Sequence, residues 1–324
     1  MKIAFFDAKK YEVEVFNKYQ NTDNIIFTYI ETNLNEQTVN LAYGYDGVCI
    51  FVNDEISKQV IDKLIKYGCK IIALRCAGYN NVDINYAKDK ITVVRVPAYS
   101  PYAVAEHAIA MLLTLVRKIH KAYIRTRDYN FSLESLTGFD LHEKTIGVIG
   151  TGRIGQVFIN ICKGFGMNVI AYDTVKINIP GIRYVSLEEL FSTSDIISFH
   201  CPLTAETYHM LNRNTISQVK NDVIIINTSR GALIDSEILL EGIRNQKIGG
   251  ACLDVYEEEA DIFYEDKSSL IPNDEILSGL LSMPNVIITS HQAFLTKEAL
   301  QNIAETTFIN IKKIKNNEYC ENTL

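Results

Sequence analysis

Three polar side chains in the second half of the chain carry complementary chemistry. Arg230 follows DVIIINTS and precedes Gly231, Glu259 lies past the end of ACLDV, and His291 follows VIITS. A guanidinium is planar and permanently charged, so it grips a carboxylate through two hydrogen bonds. An imidazole titrates near neutrality and passes a proton. A carboxylate beside it holds one tautomer and favours the protonated form. Together the three suit reduction of a 2-oxo acid, with hydride from a nicotinamide and a proton from the histidine. Spacing does not choose among Glu257, Glu258 and Glu259. Taken singly, each residue also fits a plainer role: Arg230 a structural ion pair, Glu259 a surface acid, His291 a polar loop residue.

A nucleotide site is written upstream. Residues 145–156 read TIGVIGTGRIGQ, in which an apolar run enters Gly150, and Gly152 and Gly155 complete G-x-G-x-x-G before a helical pattern. Gly150 allows the tight turn and Gly152 lets the backbone approach a pyrophosphate at the helix N-terminus. Gly155 lets helix and strand pack closely. Asp173 ends the next run, NVIAYD, 173 − 152 = 21 positions on, where the adenosine ribose belongs. Its carboxylate accepts from ribose hydroxyls and repels a 2′-phosphate. Thr174 and Val175 follow, with no Arg to receive one, so NAD is expected over NADP. The plainer alternative is a glycine turn with no ligand.

The elements that must position these groups alternate. Apolar runs at 2–6, 25–30, 47–52, 71–75 and 92–96 read as strands, and 55–67 carries apolar residues at helical spacing. Pro97 and Pro101 punctuate the chain before a helix from Tyr102 to about His120. A second series follows, with strands at 145–149, 168–172, 196–199, 223–227, 249–253 and 286–289 and helices at 154–164, 187–191, 236–245 and 297–315. Continuous apolar strands separated by helices imply parallel sheets covered on both faces, an α/β fold in two domains. The acidic stretch between Glu257 and Pro284 reads as an excursion from the sheet. In an open α/β sheet ligands bind beyond the carboxyl ends of strands, where Arg230, Glu259 and His291 are expected.

Composition narrows the function classes. With 324 residues, about two domains are expected. Lys and Arg number 32 against 39 Asp and Glu, a net charge of −7, which argues against general nucleic-acid binding. The basic stretch from Arg117 to Arg127 reads as a solvated face or subunit contact. No apolar run approaches the roughly 20 residues of a membrane span, and the opening MKIAFFDAKKYE reads as a first strand, not a signal peptide. The seven cysteines are scattered without C-x-x-C spacing, which fits reduced thiols in a cytoplasm. His200 and Cys201 adjoin, but no second pair follows at ligand spacing, so no metal is expected.

These strings resemble the D-isomer-specific 2-hydroxyacid dehydrogenases. NTSRGALID, LDVYEEE and SHQAFLT match the family's signatures. ALRCAGYNNVD, VPAYSPYAVAEHA, RTRDYNFSLESLTG, VIGTGRIG, HCPLT and YEDKS match its fermentative, lactate-forming subgroup along nearly the whole chain. The resemblance implies a flavodoxin-like substrate domain, 1–100 plus 298–324, and an inserted Rossmann domain with a doubly wound parallel sheet, 101–297. It implies catalysis in the cleft, with hinge closure excluding water. It also implies roles. Arg230 binds the substrate carboxylate and helps polarise the keto group, His291 is the acid/base, and Glu259, last of the three acids, is its partner. Tyr99 contacts substrate, the backbone of Ala77 and Gly78 receives the carboxylate, and Phe294 walls the pocket beside a methyl group. Arg153 and Ile154 face the pyrophosphate; Cys201, Pro202 and Thr207 follow the adenosine and ribose; Thr228, Ser229 and Asp254 line the nicotinamide. The expected partners are pyruvate or D-lactate and a second copy of the chain, as a homodimer or homotetramer, with neither nucleic acid nor membrane. Ser290 departs from the family, where Pro often precedes the histidine. Two other readings compete: a dehydrogenase for a bulkier 2-oxo acid, and a non-catalytic NAD sensor.

Overall fold

The structure, a computed structural model, describes residues 1–259, 262–269 and 273–324. The chain divides into two compact units, Met1–Ser100 with Leu295–Leu324, and Pro101–Phe294.

The first unit is built on β1 (Lys2–Phe5), α1 (Lys10–Phe16), β2 (Ile26–Tyr29), β3 (Gly47–Ile50), α2 (Lys58–Lys66), β4 (Ile71–Leu74), α3 (Ile84–Ala87) and β5 (Thr92–Val94). Its strands pair in parallel in the order β2-β1-β3-β4-β5, the flavodoxin-like order. Strands β3 and β4 are buried at every position, which is why they read as unbroken apolar runs. Helix α2 shows the opposite pattern. Ser57 caps it by accepting from the Val60 N–H, and it buries Val60, Ile61 and Leu64 on one face. Arg75, next after β4, is fully buried. Its Nε lies 2.6 Å from Glu12 Oε1 and its guanidinium packs over Phe5, so the buried charge is paired.

The second unit holds α4 (Pro101–Val116), α5 (Ile119–Arg127), β6 (Thr145–Ile149), α6 (Arg153–Gly164), β7 (Asn168–Tyr172), β8 (Arg183–Tyr184), α7 (Leu187–Thr193), β9 (Ile196–Phe199), β10 (Val223–Asn227), α8 (Ser236–Arg244), β11 (Ile248–Leu253), α9 (Glu275–Ser282) and β12 (Val286–Ile288). The parallel order β12-β11-β10-β9-β6-β7-β8 is that of a Rossmann sheet with a seventh strand. Alternate residues feed opposite cores. Ile146, Val148, Ile196, Ile224 and Ile226 pack with α4 and Phe158. Ile149, Ile197, Phe199 and Ile225 pack with Phe191 and Leu239. The order reverses between β6 and β9, so the turn leaving β6 stands at the switch point where such sheets bind ligands.

The single helix expected from Tyr102 to about His120 is two helices. Lys118 takes a left-handed φ of 52° between α4 and α5, and Gly138 comes so close to the end of α4 that an added Cβ would lie 2.1 Å from the Val116 carbonyl oxygen. Apolar α4 is buried, whereas α5 buries nothing. The expected excursion at 257–284 falls partly on residues outside the described ones. Helix α9 was not expected within it. Asp274 caps α9 by accepting from the Leu277 N–H.

The chain re-enters the first unit as α10 (Lys297–Lys315), capped by Thr296 and burying Ile303, Ala304, Phe308 and Ile311. The residues after it run antiparallel to β5, bridging Val94 and Thr323. Among the described residues, no helix is long and apolar enough to cross a membrane.

Candidate active site

Strand ends of the second unit bring the expected acid and base together. His291 Nδ1 lies 2.8 Å from Glu259 Oε1. The other carboxylate oxygen accepts the Tyr256 N–H at 2.9 Å, which fixes the carboxylate's orientation. An ionised carboxylate only accepts, so Nδ1 carries the proton and Nε2 is left to exchange one. Among the described residues Nε2 has no hydrogen-bond partner. The three adjacent acids diverge. Glu257 lies 2.7 Å from His209 Nε2, Glu258 is exposed, and Glu259 takes His291.

His291 is itself strained. Its φ of 52° is left-handed, a conformation costly for a residue with a side chain. Asp254 sustains it. The Asp254 carbonyl accepts the His291 N–H at 2.7 Å. Its carboxylate, 0% exposed, accepts from Thr289 Oγ1 and from the N–H groups of Gln292 and Ala293. Burial alone would raise the Asp254 carboxyl, but bonds from His107, Thr289 and Ala293 outweigh it and hold it below its ordinary range. His107 reaches from α4 to Thr289 Oγ1 at 3.1 Å. The Tyr264 hydroxyl donates to the His291 carbonyl at 3.0 Å. Asp254 was expected as a nicotinamide-lining residue, and its carboxylate also holds the histidine loop. Sequence reasoning missed His107 and Thr289 as supports, because residues 182 positions apart leave no local spacing signal.

Arg230 is half-buried on the neighbouring loop, its Nη1 on the Ser229 carbonyl at 2.7 Å and its own carbonyl held by Asn227 Nδ2 at 2.8 Å. Gly231 explains how the Arg230 and Glu259 loops sit side by side. A Cβ there would lie 2.1 Å from the Tyr256 carbonyl carbon. Phe294 is buried beyond the histidine loop.

The glycine turn fits a dinucleotide. Gly150 has φ +96°, and a Cβ on it would lie 2.6 Å from His200 backbone. A Cβ on Gly155 would lie 2.1 Å from the Gly150 carbonyl oxygen. A Cβ on Gly152, by contrast, would meet nothing within 4 Å, so that face of the turn is open to a phosphate. Exposed Arg153 and half-buried Ile154 open α6 there. Asp173 accepts from the Thr151 N–H at 2.6 Å and from the Thr151 hydroxyl at 3.0 Å. Burial would raise Asp173, but the N–H groups of Thr151 and Val175 prevail and hold it below its ordinary range. The Ser229 hydroxyl donates to the Cys201 carbonyl at 2.7 Å, joining two expected cofactor segments. The Thr207 hydroxyl closes its own turn on the Pro202 carbonyl at 2.7 Å. Thr228 Oγ1 is buried without a hydrogen-bond partner among the described residues, a polar atom awaiting one. Half-buried His200 packs its ring against Phe158, and desolvation of the ring pushes its imidazole down to about 3, which keeps it neutral behind the turn.

In the first unit, Ala77 and Gly78 are half-buried in the turn after β4. The Tyr99 carbonyl accepts Asn302 Nδ2 of α10 at 2.7 Å.

Known proteins resemble the chain in sequence and fold. Residues 109–293 match the family model for the D-isomer specific 2-hydroxyacid dehydrogenase, NAD binding domain. The chain is 50% identical to the D-lactate dehydrogenase of Escherichia coli over 328 residues, covering 100% of both. The apo-structure of that E. coli enzyme superposes with a TM-score of 0.91 at 48% identity, again over 100% of each chain. The NAD-complexed D-isomer specific 2-hydroxyacid dehydrogenase of Lactobacillus delbrueckii ssp. bulgaricus gives 0.84 at 30% identity, covering 100% of each. The chain belongs to the D-isomer specific 2-hydroxyacid dehydrogenase family and carries that family's NAD-binding domain.

Proposed function

We propose that the chain is an NAD-dependent D-lactate dehydrogenase that reversibly reduces pyruvate to D-lactate. The observation that carries this reading is the Glu259–His291 pair, which leaves Nε2 open to exchange a proton. Bound NADH supplies the hydride to the keto carbon. Arg230 grips the substrate carboxylate and polarises the keto oxygen. His291 Nε2 gives that oxygen its proton, and Glu259 keeps Nδ1 protonated and offsets the imidazolium charge before transfer. In the reverse direction His291 takes the hydroxyl proton. Gly150, Gly152, Arg153, Ile154 and Gly155 hold the pyrophosphate and Asp173 the adenosine ribose. Cys201, Pro202 and Thr207 border the adenosine, and Thr228, Ser229 and Asp254 the nicotinamide. The first unit is the substrate domain: Tyr99 contacts pyruvate, and the amides of Ala77 and Gly78 receive its carboxylate. Phe294 limits the pocket.

His291→Ala tests the roles. It lowers kcat at least about a thousandfold, since general acid catalysis and orientation are both lost, while the NADH Kd stays within about twofold. Near-normal turnover in that variant sinks the assignment.

The chain also acts as a homodimer in this reading. Tyr123 and Ile124 of α5, with Phe131 and Leu133 after it, are at least 60% exposed. Arg125 binds the Glu134 carbonyl, so these segments adjoin. Such a patch is rarely left to water, and a twofold copy covers it with itself. Light scattering should give twice the chain mass, and Phe131→Glu with Leu133→Glu should halve it. A monomeric wild type removes the dimer.

A further inference from the structure

The turn after β4 has its carbonyls occupied and its amides open. Val96 N–H donates to the Cys76 carbonyl at 3.2 Å. Arg95 Nη1 donates to the Ala77 carbonyl at 2.8 Å. The Cys76 thiol donates to the Gly78 carbonyl at 3.2 Å. Every peptide here is trans, so each N–H points opposite to the carbonyl of the same peptide unit. Fixing the Cys76 and Ala77 carbonyls therefore turns the Ala77 N–H away from Val96 and the Gly78 N–H away from the Arg95 guanidinium. Among the described residues neither N–H has a hydrogen-bond partner. Two successive open amides in a half-buried turn form an anion cradle.

Arg95 is built into this turn from behind. Its N–H donates to the Asn322 carbonyl at 3.1 Å, and its carbonyl accepts Asn310 Nδ2 at 2.9 Å. Its guanidinium lies 5.0 Å from the centre of the Tyr79 ring. No carboxylate among the described residues pairs with it, so its charge is left uncompensated beside the open amides.

We propose that Arg95 is a positioning residue for the substrate carboxylate. By holding the Ala77 carbonyl it turns the Gly78 amide toward the carboxylate, and its charge adds to the field there. The tail from Asn310 to Thr323 holds Arg95 and so belongs to the substrate site. This rests on the reading that Ala77 and Gly78 receive the carboxylate of a 2-oxo acid.

The test is steady-state kinetics with pyruvate, beside binding of oxamate, an uncharged-amide analogue that keeps the carboxylate, to the NADH-loaded enzyme. Arg95→Met raises the pyruvate KM and the oxamate Kd about tenfold or more, with kcat within about threefold and the NADH Kd unchanged, because the lost interaction serves ground and transition states alike. Arg95→Lys recovers part of the loss. If Arg95→Met does not fold, Arg95→Gln, which keeps a donor without the charge, raises both constants several-fold. An unchanged KM and oxamate Kd in a folded Arg95 variant overturns the proposal, as does a fall in kcat with KM unmoved. A wild-type enzyme inert toward every 2-oxo acid instead overturns the underlying reading of the site.

Discussion

His291 and His200 show how surroundings assign a role to one residue type. The ring of half-buried His200 is shielded from solvent without a charged partner and is kept neutral, a packing group behind the glycine turn. His291 is partly open, with a carboxylate on one nitrogen and none on the other. The same reasoning applies to Asp173. Its folded carboxyl lies below the ordinary range, so it is fully ionised above the ordinary carboxylate pKa and gains a proton only at more acid pH. The proposed preference for NAD⁺ over NADP⁺ rests on that charge repelling the 2′-phosphate. The ratio of the two dissociation constants should therefore stay level from about pH 9 down to about pH 7, where the 2′-phosphate, with a second pKa near 6, also keeps both its charges. A preference that collapses within that range would mean that another group makes the distinction.

Loops following β10, β11 and β12 carry Arg230, Glu259 and His291, and their fit depends on small features between the chemical groups. Asp254 follows β11 and gathers the histidine loop with its carbonyl and its carboxylate. Gly231 lets the arginine loop lie against Tyr256 with no room for a methyl group. In Gly231→Ala the added carbon meets backbone, which cannot turn aside as a side chain can. Overpacking of this kind costs about 1–3 kcal/mol. More tellingly, it separates Arg230 from Glu259. The pyruvate kcat/KM should drop at least about a hundredfold while NADH still binds, since a misplacement near 1 Å suffices for that loss. Activity within threefold of wild type would show that the loops are not held by this contact.

At the scale of the molecule, the sheets were readable and the supports were not. Strands such as β4 and β10 are buried on both faces, so their sequences are apolar throughout and stand out from the helices. The glycine turn announced itself because a close approach to His200 backbone admits no other residue. The break between α4 and α5 was hidden, since it depends on a loop returning to the Val116 carbonyl. Two-residue β8 is too short to show any period. Composition and spacing left three acids open beside His291, and only the wider resemblance chose Glu259; the fold then separates them, each to its own surroundings. The supports His107 and Thr289 meet across 182 positions, where no spacing rule reaches. Each unit contributes to one proposed reaction, and that reaction is the claim to test first. Purified enzyme is mixed with NADH and pyruvate, absorbance is followed, and the product is resolved on a chiral column. The account predicts rapid loss of NADH matched by D-lactate. L-lactate, or no loss of NADH with pyruvate, would contradict it.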